Sequence, residues 1–288
     1  MGFKDTFFSK KLSLNIRGKI LELHPPKVMG VLNITPDSFY DGGKYVETEA
    51  VISRVEQMLS EGAAFIDIGA YSSRPGADHI PEEEEYTRLK PVISMIRKRY
   101  PEAILSVDTF RSGIAKRMVE EFGVDMINDI SAGKLDREMF RTVTRLGVPY
   151  IIMHMQGKPQ DMQNNPRYEN VTRDILTFFS GKVRELKLLG VNDLIIDPGF
   201  VFGKSLDHNY ELLNRLETFR MLELPVMVGL SRKSMICRLL NTTPSEALNA
   251  TTVLHTIALL KGADILRTHD VREAVEAITI IEKMKGME

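Results

Sequence analysis

The chain has 288 residues, enough for one large core and close to the roughly 250 typical of an α/β barrel. Its 38 basic and 39 acidic residues leave a net charge of −1, so nothing draws the whole molecule to nucleic acid or to an anionic membrane, and any anion site has to come from a local cluster of basic side chains. Cys237 is the sole cysteine, which excludes an intrachain disulfide and suits a cytoplasmic location; no run approaches the roughly 18 apolar residues of a membrane helix.

Met1 to Lys11 lacks the apolar centre of a signal peptide. Its match to M-G-x-x-x-[ST] through Gly2 and Thr6 is a short pattern, common by chance. From Leu12 to Leu23 a weak alternation around Arg17-Gly18 predicts a β-hairpin that covers the bottom of the fold. Apolar strand and amphipathic helix then alternate to the end of the chain. Strands are expected at Val28–Ile34, Phe65–Ala70, Ile104–Asp108, Met126–Ile130, Tyr150–His154, Leu194–Asp197, Val226–Leu230 and Ile265–His269, nearly continuous apolar runs of the kind buried on both faces. Helices are expected at Thr48–Gly62, Glu82–Tyr100, Arg111–Phe122, Asp136–Leu146, Val171–Leu189, Leu206–Met221, Ser245–Lys261 and Val271–Lys285. Eight strand–helix units after a hairpin predict an α/β (β/α)₈ TIM barrel, with residues 1–288 forming a single domain.

Barrel sites lie at the C-terminal ends of the strands. There the sequence places Asn33, Asp67, Asp108, Asn128, His154, Asp197, Arg232-Lys233-Ser234 and Arg267-Thr268-His269. Each has a structural explanation when taken singly: Asp108 and Asp270 as helix caps, Asn128 and Asp197-Pro198-Gly199 as turn formers. Together they put a polar group at every strand end, and such groups are costly to bury unless something pairs with them. Asp67, Asp108, Asn128 and Asp197 make an acceptor-rich set suited to a flat ligand with adjacent N–H groups. Arg74, Arg232, Lys233, Arg267 and His269 make a donor-rich set suited to a diphosphate or carboxylate. Gly203-Lys204-Ser205 ends like a phosphate-binding loop, but Pro198 stands where the first glycine is required.

The runs Asn33–Gly43, Ser73–Ala77, Ser106–Phe110, Asn128–Ser131, Asp197–Lys204, Gly229–Ile236 and Arg267–His269, in this order at successive strand ends, resemble the dihydropteroate synthases. The resemblance runs from about Val28 to Asp270 and implies a transferase that joins 6-hydroxymethyl-7,8-dihydropterin diphosphate to 4-aminobenzoate. It implies Asp197 forking onto the amino-pyrimidine edge of the pterin, with Asp108 and Asn128 on the same ring, Lys233 on its carbonyl side, and Met153 and Phe202 as apolar walls. It implies a diphosphate and Mg²⁺ site at Asn33, Arg267 and His269, the metal needing few protein oxygens. Loops after the first two strands would supply Phe39, Asp41, Ser73, Arg74 and Pro75, with Ser234 meeting the 4-aminobenzoate carboxylate. Asp41, Arg74, Lys233, Arg267 and His269 are the expected catalytic set, and a homodimer through the last helices, including Thr252–Leu260, is implied. Tyr71 and Ser73 stand where many relatives have Glu and Thr, and Val201 and Cys237 where glycines are common. Two other readings share the scaffold: a methyltetrahydrofolate-binding corrinoid methyltransferase domain, which needs no diphosphate site, and a non-catalytic pterin-binding barrel, which has no reason to keep Asn33, Lys233, Arg267 and His269.

Overall fold

The computed structural model describes residues 12–34, 44–72, 79–157, 162 and 166–287. Strands β1 (Ser13–Ile16) and β2 (Lys19–Glu22) pair antiparallel. Arg17 and Gly18 between them both have positive φ, 52° and 77°, as a two-residue hairpin turn requires. Arg17 then ties the hairpin down, donating to Asp125 and to the carbonyls of Pro101 at 2.9 Å and Ala103 at 3.0 Å.

Eight parallel strands follow: β3 (Lys27–Asn33), β4 (Phe65–Gly69), β5 (Leu105–Asp108), β6 (Met126–Asp129), β7 (Tyr150–Met153), β8 (Leu194–Asp197), β9 (Met227–Gly229) and β10 (Ile265–Thr268). They pair in the order β8-β7-β6-β5-β4-β3-β10-β9. A bridge between Ile196 and Val226 joins the two ends of that order, closing the barrel. Among the described residues the surrounding helices are α1 (Lys44–Ser60), α2 (Glu82–Arg99), α3 (Ser112–Phe122), α4 (Met139–Leu146), α5 (Val171–Leu188), α6 (Leu206–Asn214), α7 (Ser234–Leu240), α8 (Leu248–Leu260) and α9 (Val271–Lys285). Every expected strand is present within two residues of its expected bounds.

The helices need correction in several places. The expected Asp136–Leu146 starts only at Met139, because the Asp136 carboxylate is taken by the backbone N–H groups of Ser112 (2.7 Å) and Glu138 (2.9 Å). The expected Leu206–Met221 breaks at Arg215 into α6 and a 3₁₀ segment, Leu216–Leu222, whose three-residue turn puts the buried Leu216 and Phe219 on one face. Ser245–Lys261 likewise divides, into a 3₁₀ turn at Pro244–Glu246 and α8, and α7 was not in the expected set.

The barrel interior changes character along its axis. At the bottom, Met29, Phe65, Met126, Ile151, Ile195, Met227 and Ile265 pack against Leu14, Ile16 and Leu23 of the hairpin, so the hairpin plugs this end as expected. Side chains on one face of a strand recur every second residue. Two residues further on, the inward positions are Asp67, Asn128, Met153, Asp197, Gly229 and Arg267. One step of the strand repeat therefore turns an apolar plug into a polar chamber.

Candidate active site

Asp67 lies at the centre of this chamber, fully buried. Its Oδ2 accepts from Arg267 Nε at 2.7 Å and from Asn128 Nδ2 at 3.0 Å. Arg267 Nη2 donates to Asp108 Oδ2 at 3.0 Å, so one guanidinium spans two carboxylates. Burial, ahead of the opposing pull of Arg267 and the push of Asp67, raises the Asp108 carboxyl to about 7. Gly69 lies beside this convergence: a Cβ there would make ordinary contact with Asp108 Cβ at 3.4 Å and Asn33 Oδ1 at 3.8 Å. Asn33, exposed at the end of β3, makes no side-chain hydrogen bond among the described residues.

Asp197 is buried at the end of β8, and its Oδ1 accepts from the Gly199 N–H at 2.8 Å. The turn reading of Asp197 is thus correct as far as it goes, and the second oxygen remains for a ligand. Burial raises this carboxyl, with Lys233 the largest opposing influence. Lys233 donates to the Phe200 carbonyl at 2.9 Å and sits 5.0 Å from the centroid of the Phe202 ring. Burial lowers its ammonium to about 8 against the pull of Asp197. Phe202, Met153, Phe110, Ile130, Met155 and Met162 form a separate apolar cluster beside the acceptors, so a flat ring has walls as well as a polar edge.

The loop after β8 is held by a residue the sequence reading set aside. Lys204 is 2 % exposed and donates to the carbonyls of Gly199 (2.7 Å) and Phe202 (3.1 Å), with His154 Nδ1 at 3.1 Å. It is an internal staple of that loop, and burial holds its ammonium well below the usual lysine range. Gly199 has φ 71°, and a Cβ there would fall 2.0 Å from the His154 carbonyl, so only glycine fits. Val201 has φ 67°, a strained conformation for a β-branched residue.

The division into acceptor and donor halves needs correction. Arg267 is interleaved with the carboxylates. Arg232 lies outside the chamber, forked onto Asp270 at 2.9 and 2.8 Å and donating to the carbonyls of Pro244 and Ser245. Asp270 therefore serves as the partner of Arg232, and its side chain makes no capping bond to α9. His269 is kept neutral near pH 7, its imidazole lowered to about 4 by burial and then by Arg267, so it offers an N–H and no charge. Its Nδ1 lies 3.1 Å from Ser231 Oγ, and Arg54 of α1 donates to its carbonyl, two supports that no spacing in the sequence announced. Ser234 is exposed as the first residue of α7. Tyr71 stands edge-on to Phe110 at 5.0 Å, with His79 Nδ1 3.3 Å from its hydroxyl. Phe39, Asp41, Ser73, Arg74 and Pro75 lie outside the described residues.

These states give a pH profile. As pH falls through about 7, Asp108 takes up a proton and loses acceptor capacity; as it rises through about 8, Lys233 loses its charge. Acting on the free enzyme, both limbs are expected in kcat/KM, with a maximum between them. The Asp108 contribution to folding stability has the opposite acid-side sign: a raised carboxyl stabilises most below its unfolded value and loses that contribution as pH rises through 7. A kcat/KM profile in Asp108→Asn that keeps the wild-type acid limb would show that another group sets it.

Interleaved carboxylates and cations at the C-terminal mouth of a parallel α/β barrel define a TIM-barrel enzyme with a site for a flat, N–H-rich ligand that carries an anionic group. Comparison with known proteins agrees. The family described as pterin binding enzymes matches residues 29–269. The Haemophilus influenzae dihydropteroate synthase is 41% identical over 271 residues, 93% of this chain and 98% of its own. The Yersinia pestis dihydropteroate synthase solved with a sulfonamide drug superposes with a TM-score of 0.89 at 40% identity, covering 96% of this chain and 100% of that one. The Xanthomonas albilineans dihydropteroate synthase solved with 4-aminobenzoic acid gives 0.88 at 37% identity, covering 96% and 98%. The chain belongs to the pterin binding enzyme family, within its dihydropteroate synthases.

Proposed function

We propose that this chain condenses 6-hydroxymethyl-7,8-dihydropterin diphosphate with 4-aminobenzoate, giving 7,8-dihydropteroate and diphosphate. The observation that carries the reading is the single inward layer in which Asp67, Asn128, Asp197 and Arg267 meet below Asp108 and Lys233. Asp197, Asp108 and Asn128 accept from the pterin ring, Lys233 donates to its carbonyl side, and Met153 and Phe202 cover its faces. Arg267 spends Nε and Nη2 on carboxylates. Its Nη1 has no partner among the described residues, which leaves it for the diphosphate.

The C–O bond to diphosphate breaks first; charge grows on the leaving group and is met by Arg267, His269 and Arg74. The electron-rich dihydropterin carries the positive charge left on the methylene, and the amine of 4-aminobenzoate attacks it, its carboxylate meeting Ser234 beside Phe39 and Pro75. Ser73 would contribute to the same pocket, and Asp41 to the closed arrangement of the first loop. No protein nucleophile is needed. Mg²⁺ takes few protein oxygens and keeps several waters, so the ion would be bound mainly through phosphate oxygens and water. Asn33, with its carboxamide uncommitted, would supply Mg²⁺ with one oxygen, and the ion would neutralise diphosphate charge when bound.

Residues 1–288 are taken as one domain acting in the cytoplasm. Among the described residues no helix is long and apolar enough to cross a membrane. A homodimer would use α7 and α8, where Leu239, Leu240, Val253 and Leu260 are each more than half exposed; sedimentation equilibrium at micromolar protein tests this.

The assay is direct. Purified protein with Mg²⁺, the pterin diphosphate and 4-aminobenzoate is expected to form dihydropteroate and diphosphate only when both substrates are present. Sulfonamides are expected to compete with 4-aminobenzoate. Pterin binding without turnover would remove the synthase reading, and a purely noncompetitive sulfonamide pattern would remove the placement of the second substrate.

A further inference from the structure

Asp67 touches both parts of the chamber, and its chemistry allows only one arrangement of its neighbours. A carboxylate accepts and never donates. Because Asp67 Oδ2 is 3.0 Å from the Asn128 carboxamide nitrogen, Asn128 has to turn its NH₂ inward and its carbonyl oxygen away from Asp67. An amide orientation is ordinarily an assignment made from its partners; here a buried carboxyl oxygen that already accepts from Arg267 Nε makes the assignment. The same oxygen pins Arg267 Nε at 2.7 Å. Asp67 Oδ1 has no partner and no exposure, and neither has Ser106 Oγ, on the neighbouring strand at the paired position. Nothing in this layer therefore competes with Asn128 and Arg267 for the carboxylate.

We infer that Asp67 is a positioning residue that sets the hydrogen-bond polarity of the pterin site, holding Asn128 as an acceptor towards the ligand. The inference rests on the pterin reading of this chamber. It names a selectivity: the ligand edge facing Asn128 has to carry an N–H, and a ring with a bare acceptor there is rejected. Asp67→Asn removes the constraint: a carboxamide can turn either its oxygen or its NH₂ towards Asn128, so the orientation of Asn128 is no longer fixed.

The test uses binding of 6-hydroxymethylpterin, which carries no diphosphate, measured by calorimetry on variants whose thermal unfolding is recorded alongside. Asp67→Asn is expected to weaken binding about tenfold, the loss of the charged acceptor that fixes Asn128 with its oxygen towards the ligand. Asn128→Asp sets two carboxylates against each other and is expected to weaken it as well. The double variant Asp67→Asn with Asn128→Asp restores complementarity: the carboxylate introduced on β6 accepts from the amide introduced on β4 and still offers an oxygen to the ligand. It is expected to bind more tightly than either single variant. A folded double variant no tighter than either single one overturns the inference, as does Asp67→Asn binding as tightly as the unaltered protein. If Asp67→Asn alone does not fold, equal affinity of the double variant and Asn128→Asp overturns it. Absence of pterin binding in the unaltered protein would instead remove the pterin reading itself.

Discussion

Replacing Asp197 with Asn is expected to weaken pterin binding by about 100-fold or more, the loss of two hydrogen bonds to a charged acceptor at roughly 1.5–3 kcal/mol each. The fold is expected to tolerate the change. Asn keeps an oxygen for the Gly199 N–H, now 2.8 Å from Asp197 Oδ1, so the turn that starts the loop survives. Removing a buried charge also relieves the desolvation that raises the Asp197 carboxyl, so stability should hold or rise slightly. What is lost is the second oxygen as an acceptor, replaced by an NH₂ that faces the N–H groups of the ring. A linked effect follows at Lys233. Asp197 is the largest influence holding that ammonium up against burial, so without it Lys233 falls further below about 8 and begins to lose its charge at neutral pH. The alkaline limb of kcat/KM is therefore expected to move to lower pH in the same variant. Calorimetry with 6-hydroxymethylpterin and scanning calorimetry of the free protein separate the two effects. Unchanged pterin affinity in a normally folded variant would place the ring elsewhere.

The barrel was legible because its strands are short apolar runs closed by polar residues, and that pattern survives without knowledge of pairing. The candidate residues stood out because the same strand ends carry Asp108, Asn128, Asp197, Lys233 and Arg267. What the sequence could not give is which of these groups bind each other. Arg232 and Arg267 look alike as strand-end cations, yet one is consumed by Asp270 and the Pro244 and Ser245 carbonyls and the other enters the chamber. The signal that could have separated them is strand parity. Arg267 lies two residues beyond the inward Ile265, whereas Arg232 falls past the end of β9 at φ 54°. The same parity places Asp67 two residues beyond Phe65 and marks it as inward and buried. Lys204 is a different case: Pro198 excludes the phosphate loop that Gly203-Lys204-Ser205 resembles, and only the tertiary approach of the His154 strand end to Gly199 shows the lysine as a buried staple.

Arg267→Lys is expected to lower kcat/KM by about 10²–10³ for the pterin diphosphate, the range for removing one preorganised donor to a developing anion. Lysine keeps the charge but not the fork. It can approach either Asp67 or Asp108 and has no third nitrogen set towards the leaving group. Affinity for a pterin lacking the diphosphate is expected to change much less, and equal losses for the two ligands would indicate a distorted chamber instead. Arg267→Ala goes further, leaving Asp67 and Asp108 without their shared cation. Stranding buried charge in this way costs about 3–5 kcal/mol, a cost the protein can reduce by protonating one carboxyl. Asp108 stands at about 7 with Arg267 holding it down, so its carboxyl moves higher still without that cation. The stability deficit of Arg267→Ala is therefore expected to be large at pH 8 and to shrink at pH 6, where Asp108 is protonated in the folded state but ionised in the unfolded chain. Urea unfolding of both proteins at the two pH values measures this. A deficit of the same size at pH 6 and pH 8 would mean that the Arg267 contribution is packing and not charge.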